Sequence, residues 1–281
     1  MYMNNEREQI KIDVLTLAAI SIVAWALVVI MHEIVGHAGF AALMGIPVRA
    51  VSTTTVFLEW NQIKTIDEYR LIHVGGTFMN LVTGGIALIL LHYGKRFSKS
   101  SRYFLWMFST MSFVVVIMYL ISATAIGAGD WMEVITDLEP RSLFVAMIVF
   151  AGILFAIPGY TLPLRAWMPD LKGDRSALLK VTVIPVLVVI IIQTLSVLGS
   201  PFAFNAPGIG HLGASIFIFI HFILWLIIVN IFPVSRSSEE LEALGLKRSP
   251  LWLVAGVAVL IIFVLILGPG LGPLAEDPRL G

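Results

Sequence analysis

The sequence predicts an all-α, polytopic membrane protein with about seven transmembrane helices and a short β-hairpin after the first helix. Hydrophobic residues make up 58% of the 281 positions, and the mean hydropathy is +0.95. Only 13% of the residues are charged, against about 25% in soluble globular proteins. Apolar runs long enough to cross a hydrocarbon layer of about 30 Å recur along the chain. We therefore expect the lipid bilayer to surround the protein.

The apolar runs define the predicted helices in order. The first run is too long for a cleaved signal peptide, so we expect it to be retained as a span. The predicted spans are 14–45, 71–93, 103–126, 142–164, 177–199, 212–234 and 250–269.

A different composition separates the first two spans. Residues 48–66 are rich in β-branched and aromatic residues, most of all between Val51 and Trp60, and such residues favour strands. We expect a short hairpin on the outer face, with an edge able to pair with an extended peptide. A loop that only packs on the bundle is the alternative.

The distribution of basic residues predicts the orientation, because cytoplasmic loops carry an excess of lysine and arginine. With seven spans, the N-terminus and the second, fourth and sixth connections share one face and carry thirteen basic residues, against five on the other face. The N-terminus is thus predicted to be cytoplasmic in a multi-pass protein of the cell membrane. The net charge of zero gives no reason to expect a nucleic-acid partner.

Polar residues interrupt the first span at His32-Glu33-Ile34-Val35-Gly36-His37. Ionisable side chains inside a membrane span are costly and usually functional. A zinc hydrolase needs neutral imidazoles that bind the ion and a nearby carboxylate that takes a proton from water. The chain has no cysteine, so any metal ligands must be histidine, aspartate or glutamate.

The spacing of the two histidines requires a distorted helix. Residues five apart on an ideal helix point about 140° away from each other. A one-residue π-bulge would bring His32 and His37 together, and Gly36 and Gly39 make such a distortion easier. Alternatively, Glu33 and His37, which are four apart, share a face and both bind.

The motif Met31–Ala38, followed by 41–47, resembles the first core helix of the site-2 protease family of intramembrane zinc metalloproteases. That family has His-Glu-x-x-His, and the present motif is one residue longer. The longer spacing is similar to the His-Glu-Leu-Leu-Gly-His motif of dipeptidyl peptidase III, a soluble zinc peptidase. A second stretch, Gly75–Asn80, resembles the Gly-Pro-x-x-Asn stretch of the site-2 proteases.

The resemblance implies an intramembrane zinc metalloendopeptidase. It implies that His32 and His37 bind Zn2+, that Glu33 is the general base, and that Asn80 stabilises the oxyanion. The substrate would be a membrane protein whose transmembrane segment is partly unwound and paired with the hairpin. The alternative for Asn80 is a hydrogen bond to a neighbour, with the nearby glycines allowing close helix packing.

The domain organisation also follows from the resemblance. We treat 1–281 as a single membrane domain with a protease-like core at 10–140, additional transmembrane helices at 141–269 and a flexible tail at 270–281.

The third metal ligand has two candidate positions. The family supplies an aspartate, often preceded by Asn-x-x-Pro. Asp130 follows the third span, whereas Asn230–Pro233 matches Asn-x-x-Pro but has no aspartate after it. The predicted topology places Asp130 toward the outer face, on the side of His37, and places Glu239 on the cytoplasmic side. We therefore predict His32, His37 and Asp130 as the metal ligands, with the active site toward the outer face.

Other histidines and other functions remain open. His73 and His211 are expected near the outer face, where they could contact substrate or orient a ligand. One alternative function is a non-proteolytic metal-binding protein or transporter. Another is a membrane di-iron oxidoreductase, although such enzymes need many more histidines than the six present here.

Overall fold

The computed structural model describes residues 11–94, 96–167, 175–199, 216, 219–228 and 245–272. The described residues are 79% helical, and they hold six helices that are long and apolar enough to cross a membrane. They are Val14–Leu43, Ile66–Tyr93, Lys99–Ala123, Arg141–Trp167, Ser176–Gly199 and Pro250–Leu267.

These six helices coincide with six of the predicted spans, so the predicted fold class is confirmed. A shorter apolar helix, Phe219–Ile228, lies within the predicted span 212–234. Apart from residue 216, the rest of that span lies outside the described residues, as do residues 273–281 of the predicted tail.

Three of the long helices contain or end in π-helical turns. In chain order the elements are α1 Val14–Ile30, a π-helical segment Met31–Ala38, α2 Gly39–Leu43, β1 Val48–Val51, β2 Val56–Leu58, a 3-10 turn Trp60–Gln62, α3 Ile66–Tyr93, α4 Lys99–Met118, a π-helical segment Tyr119–Ala123, α5 Asp130–Val134, α6 Arg141–Trp167, α7 Arg175–Gly199, α8 Phe219–Ile228, α9 Pro250–Ile261 and a π-helical segment Ile262–Leu267.

The bundle packs around α1 and α4, whose apolar side chains form most of the buried core. One buried polar pair fixes α1 against α7: Nε1 of Trp25 donates a hydrogen bond to Oε1 of Gln193 over 3.0 Å. The ring of Trp25 also meets Phe222 of α8 edge to face. Because an unpaired polar group is costly in an apolar core, the Trp25–Gln193 contact specifies how these helices align.

The predicted hairpin forms. β1 and β2 are antiparallel, with Val51 opposite Val56 and an irregularity between Val48 and Ala50. All of β2 is buried, and its Val56 and Leu58 join a small apolar cluster with residues of α2, α3 and the first π-helical segment. The hairpin is thereby seated on the end of the bundle that carries the histidine motif.

Two glycine positions bring the histidine motif against α3. A Cβ atom at Gly36 would lie 2.6 Å from the Cα of Gly76, a separation that real side chains do not reach. A Cβ atom at Gly75 would lie 2.9 Å from the carbonyl oxygen of Gly36. The two backbones are therefore in direct contact, and α3 forms one side of the site.

Candidate metal centre

The π-helical segment Met31–Ala38 brings His32 and His37 together. A π-helix makes i to i+5 hydrogen bonds, so residues five apart face the same side. The two imidazole rings have centroids 4.8 Å apart and are nearly perpendicular. Both side chains are buried. The predicted π distortion is thus confirmed.

Asp130 reaches the same point from the end of the third span. The chain leaves the π-helical segment Tyr119–Ala123 in a tight turn in which the N–H of Ala128 donates to the carbonyl of Ala123. Gly127 and Gly129 have positive φ angles of 79° and 77°, which glycine adopts without strain. This turn directs Asp130 inward, so that its Oδ2 lies 3.2 Å from Nε2 of His32 and 3.4 Å from Nε2 of His37.

His32, His37 and Asp130 form a group whose potential ligand atoms all lie within 4.8 Å of one another. Zinc bound to nitrogen and oxygen at about 2.0–2.2 Å places tetrahedral ligands about 3.3–3.5 Å apart, close to the observed separations. The site can therefore hold a metal ion. Glu33 is not part of this group, so the arrangement favours the histidine pair over the Glu33–His37 alternative.

Two buried atoms in the group lack a hydrogen-bond partner in the described structure. They are Nε2 of His32 and Oδ2 of Asp130, although these two atoms are only 3.2 Å apart. Buried polar atoms are nearly always satisfied, and exceptions call for an explanation such as an ion. A cation bound by both atoms supplies that explanation, so the residues present fit a metal.

The other ring nitrogen of each histidine is held by α3. Nδ1 of His37 lies 2.7 Å from the carbonyl oxygen of Ile72. A carbonyl can only accept, so Nδ1 carries the proton and donates, which leaves the lone pair of Nε2 for a metal. Nδ1 of His32 lies 3.1 Å from Nδ2 of the side-chain amide of Asn80. Second contacts of this kind orient metal-binding imidazoles.

Asn80 lies behind His32 rather than in the cavity. Its side chain is fully buried and is absent from the cavity lining. A half-turn of the Asn80 side chain exchanges its amide oxygen and nitrogen, so either atom can face Nδ1 of His32. This geometry favours the alternative of a hydrogen bond to a neighbour over contact with a scissile carbonyl.

Burial alone would raise the pKa of Asp130, but the neighbouring imidazoles hold its pKa well below the usual value. Asp130 is therefore an anion over the physiological pH range. An anionic carboxylate beside two imidazoles is a donor set suited to a divalent cation.

A cavity opens beside the group. Its volume is about 90 Å3, and Glu33, His37 and Asp130 line one side of it. The hairpin lines another side, through residues 54–56 and Leu58. The cavity brings a buried carboxylate, Glu33, next to the candidate ligands, which is the position a general base requires.

His73 and Tyr119 also line the cavity. Nδ1 of His73 lies 3.9 Å from Oδ1 of Asp130, and both ring nitrogens of His73 lack a hydrogen-bond partner. The sequence had suggested a substrate contact or an orienting role for His73. Tyr119, whose ring stacks on His32 at 4.7 Å, was not identified from the sequence, and an isolated tyrosine in an apolar span gives no signal there.

The remaining predicted positions lie elsewhere. His211, Asn230–Pro233 and Glu239 fall outside the described residues. Within the described ranges, His32, His37 and Asp130 form the one group of three potential ligands, so no second ligand set for a di-iron centre is found there. Comparisons with protein-family models, curated proteins and solved structures find no match to the chain.

Proposed function

We propose that the protein is an intramembrane zinc metalloprotease that hydrolyses peptide bonds in or near transmembrane segments of other membrane proteins. One observation carries the proposal: the ligand atoms of His32, His37 and Asp130 converge at a cavity that Glu33 also lines, in a bundle of apolar helices. The resemblance of the histidine motif to the site-2 proteases points to the same chemistry.

In this proposal His32, His37 and Asp130 hold the zinc ion. A bound zinc ion polarises a substrate carbonyl and makes water a stronger acid. The hydrogen bond from His37 to Ile72 keeps that imidazole in the tautomer with Nε2 free. Asn80 does the same for His32 when its amide oxygen accepts from Nδ1.

Glu33 acts as the general base. It takes a proton from the attacking water and returns it to the nitrogen of the leaving amine, so one carboxylate serves both transfers. Its side chain is only 6% exposed, and exclusion of bulk water strengthens electrostatic interactions in the site.

His73 donates a hydrogen bond to the substrate oxygen that becomes negative during attack. Its ring is fixed by stacking on Trp60 and by contact with Tyr69, while both nitrogens stay without a partner. A donor held in advance at such a position stabilises the transition state. Tyr119 lies on the same cavity and serves as a second candidate donor.

The substrate pairs with the cavity edge of β2 as an extended strand. Val51 exchanges two main-chain hydrogen bonds with Leu271, so its pairing with Val56 is of the non-hydrogen-bonded kind. The N–H and C=O of Val56 therefore point away from β1, and Val56 also lines the cavity. Strand addition there would unwind a substrate helix and expose its peptide bonds.

The orientation is part of the proposal. The excess of basic residues predicts a cytoplasmic N-terminus, and with this orientation the site would lie toward the outer face of the cell membrane. Zinc as the metal, a membrane-protein substrate and the surrounding bilayer together define the proposed activity.

The test combines metal analysis with a single substitution. The full-length protein, purified in detergent, is expected to contain one zinc per chain and to cleave fluorescently labelled casein, an unfolded general substrate. Glu33→Gln keeps the shape of the side chain and removes the base, so cleavage should fall by roughly 10²–10⁴-fold with zinc unchanged.

Each outcome of this test is decisive for one part of the proposal. Full cleavage by Glu33→Gln would eliminate the mechanism. Zinc without any cleavage of casein, or of a panel of transmembrane peptides, would favour a non-proteolytic metal-binding protein. Absence of metal from both wild type and variant would remove the hydrolase assignment altogether.

A further inference from the structure

The hairpin forms a wall of the cavity at the candidate metal centre. Its turn and second strand contribute residues 54–56 and Leu58 to the lining, together with Glu33 and Asp130. The cavity volume of about 90 Å3 is below the roughly 300–1,000 Å3 of pockets that bind small molecules. Movement of the hairpin away from the metal centre would enlarge this cavity and make room for a peptide chain.

The chain segment after the last span lies on the outer edge of this hairpin. The N–H of Leu271 donates to the carbonyl of Val51 over 2.8 Å, and the N–H of Val51 donates to the carbonyl of Leu271 over 3.0 Å. The pairing is antiparallel. The outer edge of β1 is thus occupied by the chain itself at Val51.

Two glycines let this segment lie close to its neighbours. Gly272 has a φ angle of +114°, and a Cβ atom there would lie 2.9 Å from the Cα of Ala50 in β1. A Cβ atom at Gly268 would lie 3.1 Å from the carbonyl oxygen of Ser196 in α7. The segment 268–272 therefore bridges the outer end of α7 and the hairpin.

The hairpin turn is fastened to the same helix end. The hydroxyl groups of Thr53 and Ser196 form a hydrogen bond, and both side chains are buried. The hairpin is thus held from two sides by elements outside the predicted core 10–140: by Ser196 at its turn and by Leu271 at its edge.

We propose that residues 268–272 form a strap that holds the hairpin closed over the metal centre, and that release of Leu271 from Val51 opens the cavity to a substrate chain. This proposal rests on the proposed function only in taking a substrate chain as the molecule that enters the cavity. Two main-chain hydrogen bonds and one short segment are few contacts, so the strap can open locally while the helices stay folded. The last span thereby controls access to the site.

A disulfide tests the contact directly, because the chain has no cysteine of its own. Antiparallel residues that exchange both hydrogen bonds have Cα atoms about 5.5 Å apart, within the range of about 4.4–6.8 Å that a disulfide spans. Full-length V51C/L271C is expected to crosslink with oxidised glutathione. The control V51C/L251C carries its second cysteine near the far end of the last span and should not crosslink.

Access to the cavity gives a second readout that needs neither metal nor catalysis. Leu58 is buried and lines the cavity, so L58C reports opening through its rate of labelling by N-ethylmaleimide. Leu271→Pro removes the N–H that donates a hydrogen bond to the carbonyl of Val51, whereas Leu271→Ala keeps this N–H. L58C labelling is expected to be roughly tenfold faster with Leu271→Pro than with Leu271→Ala.

The outcomes separate the strap from the proposed activity. Equal labelling rates in the two backgrounds, or no crosslink between positions 51 and 271, would overturn the strap even if the protein cleaves casein. If the wild-type protein cleaves casein, crosslinked V51C/L271C should lose most of that activity and regain it when the disulfide is reduced. Crosslinking and faster labelling with no cleavage in any form would support the strap and refute the protease.

Discussion

Nδ1 of His37 donates a hydrogen bond to the main-chain carbonyl of Ile72 across 2.7 Å, which aims the opposite nitrogen of the ring at Asp130. A main-chain carbonyl cannot change its role, so the tautomer of His37 is fixed by α3 before any metal arrives. Nε2 of His37 then lies 3.4 Å from Oδ2 of Asp130. The ligand group is thus built from two stretches of helix, the π-helical segment Met31–Ala38 and α5, and α3 orients it.

Asp130→Ala is expected to abolish most metal binding, because it removes the ligand that lies between the two imidazoles. The loss of affinity should exceed the roughly 10–100-fold typical of an orienting residue. Zinc content of the purified protein is the measurement. Asp67→Ala, which removes an exposed carboxylate of α3, is the control and should keep full zinc. Unchanged zinc in Asp130→Ala would place the third ligand elsewhere.

Substitutions at Asn80 distinguish its two candidate roles. Asn80→Ala should weaken zinc binding about 10–100-fold, since the imidazole of His32 loses its hydrogen-bond partner. Asn80→Asp keeps an oxygen that accepts from Nδ1 of His32, so zinc binding and cleavage should both be largely retained. Zinc affinity and the kcat for casein are measured for each variant.

The control for these substitutions lies one turn further along α3. Thr83→Ala removes a hydroxyl that bonds only within its own helix, to the carbonyl of Met79, and should change neither quantity. If Asn80→Asp instead keeps zinc but loses cleavage, the amide nitrogen acts on the substrate, as the resemblance to the site-2 proteases implied.

Some of this site could be predicted from residue spacing alone. Two histidines five residues apart cannot share an ion on a regular α-helix. The spacing of His32 and His37 therefore required the π-helical turn that is observed. Asp130 followed from counting spans, since it comes at the end of a helix that runs to the same side as His37. Both arguments use local geometry and chain direction, which a sequence contains.

Contacts between distant segments could not be predicted in this way. The sequence gives no reason for Leu271 to lie beside Val51 or for Ser196 to bond Thr53, because each depends on how whole helices pack. The partner of Asn80 was left open for the same reason: residues 32 and 80 lie on helices whose rotation is set by the contact between Gly36 and Gly76. The pairing of β1 with residue 271 could not be foreseen because that residue comes from the other end of the chain.

Gly76→Ala should disturb the metal site without unfolding the bundle. A Cβ atom at this position would lie 2.7 Å from Nε2 of His32 and would also crowd His37, so both imidazoles must turn away from Asp130. The affinity for zinc is expected to fall at least tenfold, a change equal to about 1.4 kcal/mol of binding, while the helical circular dichroism spectrum is unchanged.

Gly85→Ala is the matched control for Gly76→Ala. It lies in the same helix, and a Cβ atom there would meet nothing within 4 Å. Alanine is favoured over glycine in a helix interior by about 0.5–1 kcal/mol, so this variant should keep zinc and melt at the same or a higher temperature. Equal zinc content in the two variants would contradict the close contact between α3 and the histidines.

Cysteine labelling tests the proposed orientation in intact cells. Lys64 lies between the hairpin and α3, and Arg96 lies between α3 and α4; both are exposed. K64C should react with a membrane-impermeant maleimide from outside the cell, and R96C should react only after the membrane is made permeable. The opposite pattern would place the metal centre toward the cytoplasm and invert the assignment made from the basic residues.

His73→Phe tests whether a third imidazole acts on the substrate. Phenylalanine keeps the stacking on Trp60 and the contact with Tyr69 but removes both ring nitrogens. Loss of a donor to the developing oxyanion should lower kcat for casein by about 10²–10³-fold, with KM nearly unchanged and zinc retained. His92→Phe, at the other end of α3 beside Tyr93, should leave kcat as it is. Loss of zinc in His73→Phe would instead make His73 a ligand, and unchanged kcat would remove it from the reaction.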